Sequence, residues 1–266
     1  MTAIGLTQVQ ARNGGFASDV SAISRRALRS VLRDPESVIP GFIIPLFFFT
    51  VNTGALQNFV EAGGTLDYKA FQLPVAIIMA VTGPLSRALT LVEDVRSGYF
   101  DRLVMTPVRR LALLIGMMVA DIALVIALSV PVLILGYAVG VRFETGVAGV
   151  VAFVALAAYW GLGFAGFSYA IALKTASAAA VSSSFMVFLP MMFLTPMFIP
   201  LEAMTGWMAT VAQYNPVTYL LGSLRSIITV GWEIDEILKG LLSVSVVVIV
   251  SMTMALLALK GRVSRQ

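Results

Sequence analysis

The sequence predicts an all-α integral membrane protein of six transmembrane helices. An amphipathic interfacial helix precedes the first span, a short cytoplasmic helix joins the second and third, and extracellular re-entrant helices precede the last. Three observations predict this. Apolar residues make up 59% of the chain and charged ones 12%, with a mean hydropathy of +0.93, against roughly 45–50% apolar residues in a soluble domain. The apolar residues fall in runs suited to a hydrocarbon core of about 30 Å, which takes about 20 helical residues, not in the short alternating segments of a barrel. Lys and Arg are distributed unevenly between alternate connections, as oriented helices require.

The first 37 residues are polar and basic, so the earliest apolar run starts too late for a cleavable signal peptide, and the N-terminus is expected to persist in the mature protein. Within them, residues 18–34 read as an interfacial helix. Val20, Ile23, Ala27, Leu28, Val31 and Leu32 fill one arc and Arg25, Arg26, Arg29 and Arg33 the opposite one. Such a helix lies along a membrane with its arginines near headgroups, or packs its apolar arc on protein. Asp34-Pro35 ends it, because Pro disfavours helix for the residue before it.

The expected spans are 38–58, 71–92, 109–139, 147–173, 178–199 and 238–259. Residues 201–230 contain apolar pieces too short to cross. The helix from Pro216, with Asn215 as N-cap, covers only about 22 Å and reads as re-entrant or interfacial. Basic residues set the orientation. Five lie in the N-terminal segment, four in residues 93–110, one at Lys174 and three at the C-terminus, while Lys69, Arg142, Arg225 and Lys239 lie on the other side. Both termini and the 93–110 loop are therefore expected in the cytoplasm. With no repeat or linker, residues 1–266 read as a single domain.

The chain has no Cys and no His. Disulfides, thiol nucleophiles, histidine acid–base chemistry and Cys/His metal sites are excluded, so neither a catalytic nor a metal site is expected. The small net charge of +4 reports membrane orientation better than affinity for nucleic acid.

Two ionisable residues fall inside expected spans, Arg87 and Asp121. Intramembrane charge is costly and marks function. Three arrangements remain open: a pair between adjacent helices, a snorkelling Arg87 with Asp121 facing an aqueous cavity, or proton coupling by Asp121. In the fifth span, Phe185, Met186, Phe188, Met191 and Met192 make an adaptable apolar surface, either lining a path for hydrophobic ligands or simply packing. Ala157, Gly161 and Ala165, four residues apart, form a close-packing edge.

The loop EDVRSGYFDRLVMTPVRR, residues 93–110, holds seven of the chain's charged residues and exceeds the usual 2–8 residues of a helix connection. Val95, Tyr99 and Leu103 recur every fourth residue beside Phe100, flanked by Glu93, Asp94, Arg96, Asp101 and Arg102. Gly98 weakens the helix and Thr106-Pro107 ends it. Tyr, Phe, Leu and Arg together suit a protein–protein contact, and a solvated connection that only enforces topology is the alternative.

The spacing E-D-x-R-x-G-x4-L-x-x-T-P-V-x-R resembles the coupling-helix loop of ABC-2 type transporter permeases, especially the daunorubicin-resistance-like group. The stretch PMFIPLEAMTGWMATVAQYNPVTYLLGSLRSI is similar to that family's extracellular segment before the last helix, with Pro200, Trp207, Asn215-Pro216 and Arg225 at the recurring positions. The resemblance implies that residues 93–106 dock on a separate ABC ATPase subunit, present in two copies and carrying ATP and Mg, and that a second permease chain, identical or related, completes the complex. It further implies an exporter of amphiphilic drugs, antibiotics or lipids in the cytoplasmic membrane, in contact with membrane lipids and with no nucleic acid. The chain contains no G-x4-G-K-[ST] phosphate loop of its own, consistent with a transport subunit that hydrolyses nothing itself. An ion- or proton-coupled secondary transporter would need several paired mid-membrane acids, where the sequence offers Asp121; a non-transporting anchor or sensor would need only the loop.

Overall fold

Long apolar runs with few breakers fold as helices because a bilayer leaves the backbone no partner but itself. The computed structural model describes residues 15–32, 35–62, 67–82, 86–104 and 110–263. Among these, helices α1 (Phe16–Leu32), α2 (Pro35–Glu61), α3 (Tyr68–Thr82), α4 (Ser86–Arg96), α5 (Tyr99–Val104), α6 (Arg110–Ala138), α7 (Gly146–Thr175) and α8 (Ala178–Phe193) follow in order. A 3-10 turn at Leu201–Ala203 then leads to α9 (Gly206–Tyr214), α10 (Pro216–Thr229) and α11 (Ile234–Val263). No strand occurs among the described residues.

Among the described residues four helices, α2, α6, α7 and α11, are long and apolar enough to cross a membrane. The other two expected spans are shorter helices among the described residues. Over 71–92 these are the end of α3, to Thr82, and the start of α4, from Ser86, and residues 83–85 between them lie outside the described residues. The span expected to reach residue 199 ends instead at Phe193. Pro190 is accommodated inside α8, but Pro196 lacks an N–H and biases Thr195 away from helix, so residues 194–200 form turns although their composition remains apolar. At about 1.5 Å per residue, α3 and α8 reach only about 22 and 24 Å.

Helix α7 packs along α11 and also meets α3, α4, α6, α8 and α10. It approaches them through small residues on two sides. A Cβ added at Gly161 would lie 2.7 Å from Val81 and 3.1 Å from Val125, and one at Gly166 would lie 2.6 Å from the Ser251 hydroxyl. Apolar side chains form two clusters, one around Phe49, Ile77, Phe153 and Leu220, the other around Leu91, Val95, Phe100, Tyr169 and Leu173.

The apolar arc of α1 is spent in part on protein, not only on the membrane surface. Ser24 donates to the Gly116 carbonyl at 3.1 Å, Ala27 is buried, and Ile23 sits where a Cβ on Gly116 would stand, 2.6 Å away. Glycine at position 116 lets the two helices close.

Candidate functional site

The 93–104 part of the loop is two helices, not one. Gly98 adopts φ +70°, which the left-handed region permits cheaply only to glycine, so the chain turns between α4 and α5 and the continuous Val95–Tyr99–Leu103 stripe is interrupted. The turn divides the expected docking residues into two sets. Val95 and Phe100 are each 4% exposed and pack with Leu91, Val92, Leu113 and Leu173, so they anchor the loop. Tyr99, 38% exposed, faces outward with Glu93, Arg96 and Arg102. Thr106 and Pro107, and the side chains of Asp101 and Leu103, lie outside the described residues.

Two long-range contacts fix this loop. The Arg26 guanidinium on α1 donates from both terminal nitrogens to Asp94, at 2.9 and 3.2 Å, and lies 4.2 Å above the Tyr99 ring. Arg96 donates from Nε to the Ala176 carbonyl at 2.7 Å. Ala176 is the left-handed C-cap of α7, φ 49°, so this bond ties the loop to the α7–α8 joint. Arg26 was readable in the sequence only as one member of a basic arc, since nothing in its spacing points to Asp94.

Within the bundle, Asp121 accepts a hydrogen bond from the Tyr169 hydroxyl. Both line a cavity of about 30 Å3 between α3, α6 and α7, with Ser168 and Gly161 nearby. That volume holds about one water molecule. Tyr169 is a site residue that pattern reading missed, because a tyrosine in an apolar helix carries no sequence signal until an acid faces it. The side chain of Arg87 lies outside the described residues.

The aromatic and Met residues of α8 are divided between its faces. Phe188 and Met192 are buried and Phe185 partly so, while Met186 and Met191 are exposed. The inner set borders an apolar cavity of about 160 Å3 between α2, α3 and α8, which Pro40, Met79, Thr82 and Met197 complete.

At the opposite end from the loop, Asn215 satisfies two helix ends at once. Its Oδ1 accepts from the Val217 N–H at 3.0 Å, the N-cap bond expected of it, while its Nδ2 donates to the Met191 and Leu194 carbonyls at 2.7 and 3.1 Å, closing α8. Pro216 stands at the first position of α10. Arg225, partly buried, donates from Nε to the Phe71 carbonyl at 3.1 Å and from Nη2 to the Pro196 carbonyl at 2.7 Å, with its carbon 3.4 Å above the Phe71 ring. Burial lowers its pKa, opposed by Tyr68 and Glu202, yet a guanidinium remains charged at neutral pH. Pro200 is half-buried, and Trp207, on α9, is exposed as an interfacial tryptophan would be. Among the described residues no group of acids could hold a metal ion.

This is a polytopic helical membrane protein with an anchored helix pair at one end and a hydrogen-bonded hairpin at the other. Residues 18–229 match the family described as ABC-2 type transporter, and the chain belongs to that family. It is 26% identical over 218 residues to the daunorubicin resistance ABC transporter permease protein DrrB1 of Streptomyces coeruleorubidus, covering 80% of this chain and 77% of the relative. It is 25% identical over 212 residues to the probable doxorubicin resistance ABC transporter permease protein DrrC of Mycobacterium tuberculosis, covering 79% and 76%. A putative transport permease of Cyanophora paradoxa is 23% identical over 215 residues, covering 79% and 74%.

Proposed function

We propose that the chain is the membrane-spanning permease subunit of an ATP-driven exporter, moving an amphiphilic drug, antibiotic or lipid across the cytoplasmic membrane. Family membership and the drug-resistance names of two relatives support this reading. The observation that carries it is the anchored loop, in which Val95 and Phe100 are buried while Tyr99 and Arg102 are presented to solvent.

In this reading two ATPase subunits bind and hydrolyse ATP with Mg, and two permease chains, identical or related, form the path. Closure of the ATPases pushes on Tyr99 and its neighbours. Because Arg26 joins the loop to α1 and Arg96 joins it to the α7–α8 joint, the push reaches both helices through these contacts. The α3–α4 pair and α8 serve as the second and fifth of six passes, residues 1–266 act as a single transmembrane domain, and both termini are cytoplasmic.

Reconstitution with a partner ABC ATPase that co-purifies with the permease provides the test. ATP hydrolysis that rises with an amphiphilic substrate, together with ATP-dependent movement of that substrate, is the expected result. Transport that persists with a hydrolysis-dead ATPase and follows an ion gradient would instead assign Asp121 the work of a secondary transporter.

A further inference from the structure

The apolar cavity bordered by Met192 is separated by a single turn from a larger hollow at the hairpin end. That vestibule, about 930 Å3, is lined by Phe71, Pro196, Glu202, Thr218 and Arg225 among others. Pro196 borders the vestibule, and the next residue, Met197, is fully buried and borders the cavity. Helix α3 runs past both, touching the vestibule at Phe71 and the cavity at Met79, about 12 Å further along at 1.5 Å per residue. Residues 194–197 are therefore the partition between an apolar space within the helices and a polar space open to one side.

This partition is not part of a helix. The Leu194 N–H donates to the Pro190 carbonyl at 3.1 Å, Thr195 to the Met192 carbonyl at 2.5 Å and the Met197 N–H to the Thr195 carbonyl at 2.7 Å, and side chains of the hairpin hold it as well. Asn215 holds Leu194, and Arg225 holds Pro196 while also gripping the Phe71 carbonyl and ring of α3. Arg225 thus bonds both walls of the partition, and it does so from a third element, α10.

The chemistry of the grip suits release. Among the described residues no carboxylate lies within ion-pair distance of Arg225, so its charge rests on two carbonyl dipoles and a ring face. Those contacts depend on orientation, and a small rotation of α10 breaks them together. Glu202 lines the same vestibule and its charge already acts on Arg225, so it is the carboxylate a freed cation would meet.

We propose that Arg225 is a latch: bound to Pro196 and Phe71 it holds the 194–197 turn closed between cavity and vestibule, and its transfer toward Glu202 lets the turn open the route between them. Arg225 acts here as a positioning residue. The proposal extends the transport reading but is tested without relying on it.

Because the chain has no cysteine, Met192→Cys supplies a single thiol on the cavity wall. The full-length permease, in membranes with its ATPase and without nucleotide, is exposed from the hairpin side to a charged, membrane-impermeant methanethiosulfonate. Loss of charge-assisted bonds through Arg225→Met is expected to raise the labelling rate about ten-fold or more. Arg225→Lys, a cation without the planar fork, is expected to give a smaller rise. Trp207→Ala, on the exposed face of α9, controls for general loosening of the hairpin. An unchanged rate in both Arg225 variants, or an equal rise in Trp207→Ala, overturns the latch. Should Arg225→Met fail to insert, the Arg225→Lys rate alone decides. Labelling needs neither substrate nor hydrolysis, so a failure of the transport reading leaves this result intact.

Discussion

Asn215 shows how much a single side chain can do when two helix ends meet. An amide carries both donors and an acceptor, and here the acceptor serves the start of α10 while the donors serve the end of α8. Asn215→Ala should cost about 1–2 kcal/mol, the sum of a lost cap and two orphaned carbonyls less what water restores. Asn215→Asp separates the roles: it keeps the cap but sets an anion against two carbonyl oxygens, so it should destabilise at least as much as alanine. Thermal unfolding in detergent reads both; an aspartate variant as stable as the wild type would mean the carbonyl bonds contribute nothing. Asn215 was readable as an N-cap because Asn-Pro before an apolar run is a local signal, whereas its second role joins residues 24 and 21 positions apart and leaves no trace in spacing.

At the scale of elements, the α4–α5 pair separates anchoring from presentation. Replacing Val95 or Phe100 would damage the chain's own core and so say nothing about docking. Tyr99→Ala with Leu103→Ala is the informative change: the permease should insert normally but retain its ATPase at least about ten-fold more weakly, as expected when a contact centre is truncated. Co-purification from membranes measures this, and normal retention with normal transport reduces the loop to a connection. The loop's position, aromatic content and glycine were evident in the sequence. Its division into two helices was not, since a four-residue periodicity across Gly98 looks continuous until φ is known. The early end of α8 was hidden for a related reason: hydropathy registers side chains, while the break at Pro196 is made by a missing backbone N–H.

For the whole molecule, length and apolarity identified α2, α6, α7 and α11 because a hydrocarbon slab imposes a minimum run that composition must meet. The shorter α3 owes its place to packing instead, buried almost along its full length, and residues packed inside protein need not match the bilayer. Helix α8 is mostly exposed, and its reach is cut by the break at Pro196. Six passes with cytoplasmic termini predict that reporter fusions at residues 102, 176 and 265 are cytoplasmic and one at 205 is external. A reporter at 265 found outside would leave an odd number of crossings.

The seat of α1 has a bearing on how the protein is made. Ser24 bonds Gly116, 92 residues later in the chain. At a synthesis rate of about 5–20 residues per second, the helix exists for about 5–20 s before the surface it fits has been translated. During that interval its apolar arc has only lipid to lie against. The amphipathic pattern thus serves two successive hosts, a membrane surface while the chain is growing and α6 once the third long run has inserted, and the glycine at position 116 is what permits the transfer.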